Sequence, residues 1–263
     1  MNRGSDIVAL PSALAGLEQL LAGAGPGRAL VCVDYDGTLT PIVATPERAV
    51  LAAETRAALA AMARRYHVAI ITGRDLADVQ RLVGLDGLYH AGCHGLRVAG
   101  PGGDVLLERG AAYLPEVRAA TRLLRRLTAD MSGVRVEEKE LSVALHFRAA
   151  PERERQLERM VQEVTAADCP RLAAHPGRKV FELRPRLDWH KGRAAQWLME
   201  RLSPGLTIFI GDDLTDEDAF AVEGVIGVAV RDRPRDTNAS YALENTDEVR
   251  RFLETLVQLT ANS

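Results

Sequence analysis

The chain has 263 residues, 47% of them hydrophobic, with a formal charge of -3 and an isoelectric point near 6.1. That is enough apolar material for one large core, or a core with a smaller inserted module, and too little positive charge to neutralise a polyanion, so nucleic acid is not an expected partner. Cys32, Cys93 and Cys169 are odd in number and lack metal-type spacing, and no apolar stretch reaches the roughly twenty residues of a spanning helix, so the expectation is a cytoplasmic monomer with no membrane partner, no disulfide framework and no zinc site.

Near the N-terminus, Leu14, Leu17, Leu20 and Leu21 have the spacing of an amphipathic helix, and the glycine-rich stretch Gly23 to Gly27 reads as a connector. ALVCV before Asp34 and VAII before Thr72 are short apolar runs that end abruptly in polar residues, as buried parallel strands do. Helical patterns follow them over Glu54 to Arg65 and Asp75 to Val83. From 111 to 185 the pattern changes to an amphipathic helix, two strand-like runs, a second helix and further strands. This segment is predicted to be an α+β cap inserted into a core made of 1–110 and 186–263. Within it SVALHFR alternates, with Val143, Leu145 and Phe147 on one face and Ala144, His146 and Arg148 on the other. RKVFEL likewise separates Phe181 and Leu183 from Arg178, Val180 and Glu182, and VRVEEKE puts Glu137 and Lys139 on one side, so charge would line an open sheet face. After the cap come a helix over Arg193 to Leu202 and the strand LTIFI before Gly211. The fold class is therefore α/β, a doubly wound parallel sheet with polar residues gathered at the carboxyl ends of its strands.

The residues that carry chemistry sit at those ends. In DYDGTLT, Asp34 is positioned to attack phosphorus, and Asp36, two residues on, to serve the leaving oxygen as acid and then base. Asp36 needs a proton for the first task, and burial is expected to raise its affinity for one. In GDDLTDED, Asp212, Asp213 and Asp216 follow a buried strand, where an acidic pair is costly without a cation, and hard oxygen ligands select magnesium. Asp34, the backbone carbonyl of Asp36 and Asp212 would share the ion, with Asp213 or Asp216 direct or one shell out. Thr72 can donate its hydroxyl to a phosphoryl oxygen, and Lys191 in DWHKG can supply a fixed cation for the transition state. Thr38, within DYDGTLT, and Arg74, two residues after Thr72, are assigned to substrate binding.

Together DYDGT, Thr72, Lys191 and GDD resemble the haloacid dehalogenase superfamily, and the order and spacing fit as well. The resemblance implies a Rossmann-like core, a phosphoaspartyl intermediate on Asp34 and dependence on Mg2+. A narrower likeness, from Leu30 to Phe252, is to the trehalose-6-phosphate phosphatases, whose signatures DYDGTLTPIV, VEEKELSVALHFR, GRKVFELRP, DWHKG and GDDLTDEDAF resemble. By that likeness the substrate is trehalose 6-phosphate, Glu137, Lys139 and Glu182 hold sugar hydroxyls, Arg178 stands where lysine is usual, and His94 lies beside the site. The chain departs from the family at Cys93, which replaces an amide, and at Phe147, which lacks a tyrosine's hydroxyl. Another sugar or pseudodisaccharide phosphate, or a sugar phosphomutase reaction, is the alternative.

Overall fold

The computed structural model describes residues 5–22, 28–43 and 45–259, and the expected connector Gly23 to Gly27 lies outside them. In chain order the elements are β1 (Ser5–Asp6), α1 (Leu17–Ala22), β2 (Leu30–Val33), α2 (Ala53–Ala63), β3 (His67–Ile71), α3 (Leu76–Val83), β4 (Tyr89–Gly92), β5 (Arg97–Ala99) and β6 (Val105–Glu108). Next come α4 (Leu114–Leu127), β7 (Arg135–Glu138), β8 (Val143–His146), α5 (Glu154–Glu163), β9 (Leu172–Gly177) and β10 (Val180–Pro185). The chain then forms α6 (Lys191–Leu202), β11 (Thr207–Gly211), α7 (Glu217–Phe220), β12 (Val225–Val230), β13 (Asp236–Thr237), β14 (Tyr241–Leu243) and α8 (Thr246–Leu259). These elements divide into two compact units, Met1–Leu107 with Trp189–Ser263, and Glu108–Asp188.

The first unit is built on a sheet of order β14-β12-β11-β2-β3-β4-β5-β6. All pairings from β14 across to β4 are parallel, and β5 runs antiparallel to β4. Val31, Val33, Val68, Ile70, Ile208 and Ile210 face one side, against Leu59 of α2, Val79 of α3 and Phe252 of α8. Leu30, Cys32, Ala69, Ile71 and Phe209 face the other, against Ala195 and Leu198 of α6 and Phe220 of α7. Burial on both faces is why these strands appear as unbroken apolar runs in the sequence. The winding goes one way through β2, β3 and β4 and the other way through β11, β12 and β14. It reverses between β2 and β11, where such sheets open a crevice at their carboxyl ends. Helix α6 starts at Lys191, two residues before the expected Arg193, because Lys191 and Gly192 are buried at its first turn rather than lying outside it.

The second unit is an antiparallel sheet, β7-β8-β10-β9, with α4 and α5 on one face. Val143, Leu145, Phe147, Phe181 and Leu183 form its core with Val117, Leu124, Leu157 and Val161, following the two-residue alternation of the sequence. The Phe147 and Phe181 rings stack with centroids 5.1 Å apart. Phe147 is therefore a core residue, and a hydroxyl on its ring would not reach the polar face. Among the described residues, no helix is long and apolar enough to cross a membrane.

Candidate active site

Strand β2 delivers Asp34 to the point where the winding reverses. Its N–H still donates to the Ile210 carbonyl at 2.9 Å, extending the β2–β11 pairing by one residue and holding the carboxylate at the strand end. Gly37 follows with φ +90°, and a Cβ there would lie 2.0 Å from Asp212 Oδ2, so only glycine lets the two loops approach this closely. The neighbouring Thr38 hydroxyl donates to Asp212 Oδ1 at 3.1 Å. From the other side of the crevice come Asp212 and Asp216, and with Asp34 they offer three carboxylate oxygens within 4.8 Å of one another, all from buried residues.

Among the described residues, a lysine enters this cluster. Lys191, 2% exposed at the first turn of α6, places Nζ 3.0 Å from Asp34 Oδ1 and 2.7 Å from Asp216 Oδ1. Asp216 also accepts the Asp213 N–H at 2.9 Å, so it caps the helical turn and lines the cluster together. Asp213 is exposed, and its Oδ1 accepts the Leu214 N–H at 2.8 Å; the structure does not bring it into the group formed by Asp34, Asp212 and Asp216.

Burial sets the electrostatics. It pushes the Asp34 carboxyl well above the usual carboxylate range; Lys191 opposes the rise, and Asp216, Asp212 and Asp36 add to it. Asp212 is pushed up to about 7 by burial and by Asp216, against Lys191. Burial alone would lower Lys191, but Asp216 and Asp34 more than offset this and hold it above the ordinary lysine value. Three buried carboxylates facing one ammonium are short of positive charge, and hard oxygen donors in that deficit fit a divalent cation.

Thr72 ends β3 with 1% exposure, its N–H on the Ala91 carbonyl at 2.9 Å and its hydroxyl accepting the Arg74 N–H at 3.3 Å. The Arg74 side chain meets carboxylates. Nε and Nη2 take Asp36 Oδ2 and Oδ1 at 2.6 and 2.7 Å, Nη1 takes Asp78 Oδ2 at 2.9 Å, and the guanidinium lies 5.2 Å from the Tyr35 ring centroid. Nothing in the residue pattern foretells this fork, which joins side chains 38 residues apart. The expected burial of Asp36 is also corrected: its side chain is 41% exposed, because it turns outward onto Arg74. Cys93 and His94 have φ +51° and +56°, a left-handed pair without glycine, where asparagine is the best tolerated side-chain-bearing residue. The His94 N–H donates to the Thr72 carbonyl at 2.9 Å, which fixes His94 beside the β3 end. Trp189 Nε1 donates to the Gly95 carbonyl at 2.7 Å.

In the second unit, register aligns Glu137 with Ala144 and Ala144 with Glu182 across the polar face. Glu137 Oε2 lies 2.6 Å from His146 Nε2, and that hydrogen bond, opposed by burial, holds its carboxyl below the usual range. Glu182 is 6% exposed and takes Lys139 Nζ at 3.0 Å and Ser142 Oγ at 2.7 Å on Oε1, and Arg184 Nε and Nη2 at 2.9 and 2.6 Å on Oε2. Arg178 stands exposed in the turn between β9 and β10, outside the strand that carries Glu182. Arg184, Ser142 and His146 did not stand out in the sequence, although Arg184 shares the face of Glu182 by the period of two.

Fold and site together define a phosphatase of the haloacid dehalogenase type. A family profile described as trehalose-phosphatase matches residues 32–247. A probable trehalose-phosphate phosphatase D of Arabidopsis thaliana is 38% identical, covering 94% of this chain and 72% of its own length. A probable trehalose-phosphate phosphatase of Oryza sativa is 36% identical, covering 94% and 71%. Among solved structures, a trehalose-6-phosphate phosphatase related protein superposes with a TM-score of 0.78 at 25% identity, over 89% of this chain and 99% of that one. The chain belongs to the trehalose-phosphatase family, and it is a phosphoric monoester hydrolase.

Proposed function

We propose that the protein hydrolyses trehalose 6-phosphate to trehalose and inorganic phosphate, with magnesium and through a phosphoaspartyl intermediate, as a monomer in the cytoplasm. The observation that carries this is the buried group of Asp34, Lys191, Asp212 and Asp216 at the point where the sheet winding reverses. Asp34 attacks phosphorus, the bond from phosphorus to the sugar oxygen breaks, and Asp36 gives that oxygen a proton. Asp36 then takes a proton from water, the water oxygen attacks phosphorus, and the bond to Asp34 breaks, releasing phosphate. The fork of Arg74 occupies both carboxylate oxygens of Asp36, so the first of these steps requires that pair to loosen.

Lys191 orients Asp34 and offsets charge on the phosphoryl oxygens, with Thr72 donating its hydroxyl and Thr38 steadying Asp212. Magnesium, held by Asp34, the Asp36 carbonyl, Asp212 and Asp216, would supply the positive charge that these residues lack. Glu137, Lys139 and Glu182 recognise the sugar, with His94 and Arg178 as further contacts. The test is phosphate release from trehalose 6-phosphate, sucrose 6-phosphate, glucose 6-phosphate and p-nitrophenyl phosphate, with and without magnesium. A large magnesium-dependent preference for trehalose 6-phosphate is expected. Preference for another sugar phosphate would keep the role of Asp34 and overturn the specificity, and no release from any would overturn the function.

A further inference from the structure

Arg74 and Asp36 are held unequally. The Arg74 N–H lies on the Thr72 hydroxyl at 3.3 Å, its carbonyl takes the Cys93 N–H at 2.7 Å, and its side chain is 9% exposed. The Asp36 side chain, by contrast, is 41% exposed. When the reaction draws Asp36 out of the fork, the guanidinium stays behind, and Nε and Nη2 lose a carboxylate partner. Removing the counter-charge of a largely buried charge is costly.

Asp78 stands where it lowers that cost. It lies one helical turn after Arg74, in the first turn of α3, and its Oδ2 accepts Nη1 of Arg74 at 2.9 Å. The fork on Asp36 uses the other two nitrogens, so the bond to Asp78 can persist while the fork opens. Asp78 is in turn anchored through its second oxygen, which accepts Nη2 of Arg81 at 2.5 Å. Carboxylate and guanidinium thus alternate from Asp36 through Arg74 and Asp78 to Arg81, which is 68% exposed. An acid in the first turn of a helix also favours the helix itself, through the dipole. That role alone would bear on stability and on every substrate alike.

We propose that Asp78 is a positioning residue for the reaction, keeping the Arg74 guanidinium in place and partnered while Asp36 turns out to serve the sugar oxygen. The proposal rests on the sugar-phosphatase reading above, in which Asp36 gives that oxygen its proton. Without Asp78, Arg74 has one carboxylate fewer and grips Asp36 more firmly, so the step that needs the proton slows.

The experiment measures kcat and KM for wild type, Asp78→Asn, Arg74→Met and the double variant Arg74→Met/Asp78→Asn. The substrates are whichever sugar phosphate the wild type prefers and p-nitrophenyl phosphate. Nitrophenolate leaves without a proton, whereas a sugar oxygen needs one, and kcat/KM covers the steps up to departure of the leaving group. Asp78→Asn keeps the size of the side chain at a position 34% exposed, so the fold is retained. Its kcat/KM for the sugar phosphate is expected to fall about tenfold, a part of what a general acid contributes. The loss should lie in kcat, because Asp78 acts on the acid and not on the sugar. The value for the aryl phosphate should fall by less than about twofold. In the Arg74→Met background Asp78→Asn should add less than about twofold on either substrate, since its effect passes through Arg74. An equal loss on both substrates, no loss on the sugar phosphate, or a full additive loss in the double variant would each overturn the positioning role. A wild type that hydrolyses the aryl phosphate and no sugar phosphate would instead overturn the functional reading beneath it.

Discussion

Replacing Asp212 by asparagine should make the metal-free protein more stable while removing its activity. Asp212 is 4% exposed, and its carboxyl is pushed up to about 7 from an ordinary 3.8, by burial first and Asp216 second. An acid whose folded pKa is raised binds its proton more tightly in the folded state, so folding loses stability as pH rises from the unfolded to the folded value. At pH 7.5 that interval of about three units corresponds to roughly 4 kcal/mol against the ionised folded state. Asparagine removes the charge but leaves a buried amide, so the net gain is taken as about 2 kcal/mol, or about 4–8 °C in melting temperature. The gain should shrink toward pH 5, where wild-type Asp212 is largely protonated. The assay is thermal unfolding of both proteins in a chelator and in excess magnesium, with phosphate release measured in parallel. Magnesium at a hundred times its Kd should stabilise wild type by about 2.7 kcal/mol and the variant little. A variant less stable than wild type in chelator, or an equal magnesium shift in both, would refute the charge-deficit argument.

Other outcomes follow from single geometric facts. Gly37→Ala must move Asp212, since its Cβ would lie 2.0 Å from Oδ2 at φ +90°; turnover should fall about a hundredfold or more, and wild-type kcat would contradict the close approach. Cys93→Asn at φ +51° should raise the free energy of unfolding, by about 1 kcal/mol or less; a clear loss of stability would show that left-handed strain does not dominate there. His90 is 5% exposed, its Nε2 has no hydrogen-bond partner, and burial, opposed by Asp86, lowers its pKa to about 4. The folded state thus keeps His90 neutral, so its contribution is intact above pH 6.5 and lost as pH falls toward 4, about 2 kcal/mol of it between pH 7.5 and 5. In His90→Leu this part of the acid destabilisation should vanish, and a wild-type difference in melting temperature between those two pH values would refute the assignment.

What was legible in the sequence and what was not divides along a physical line. Strands buried on both faces announce themselves as apolar runs, and a parallel sheet gathers their carboxyl ends, so the convergence of Asp34, Thr72 and Asp212 follows from local signals plus one rule of topology. The alternation in SVALHFR and RKVFEL likewise separates core from polar face without further information, and it explains why the Phe147 departure lies in the core. Pairings between side chains far apart in sequence carry no such signal. Arg74 reaches Asp36 only because β2 and β3 are neighbours, and Lys139 and Ser142 reach Glu182 only because β10 returns beside β8. The choice between Asp213 and Asp216 also needed coordinates, since a capping turn sends the first outward and the second into the cluster.

The same line separates the candidate site residues from the arginines that meet carboxylates. Asp34, Asp212 and Lys191 lie at element ends, where type and position together limit what they can do. Arg74 and Arg184 act on carboxylates through planar forks, and an arginine in a strand or at a helix start has many other uses. Both forks have the same geometric consequence, because a planar guanidinium fixes the rotation of the carboxylate it clamps. In the proposed reaction Asp36 must turn out of its fork to reach the sugar oxygen, whereas the fork on Glu182 lies within the cap sheet. Arginine-to-lysine exchange at Arg74 should therefore act chiefly on kcat, since lysine keeps the charge and loses the fork on Asp36. Steady-state kinetics of Arg74→Lys beside wild type would check this, and an unchanged kcat would refute the role of the fork.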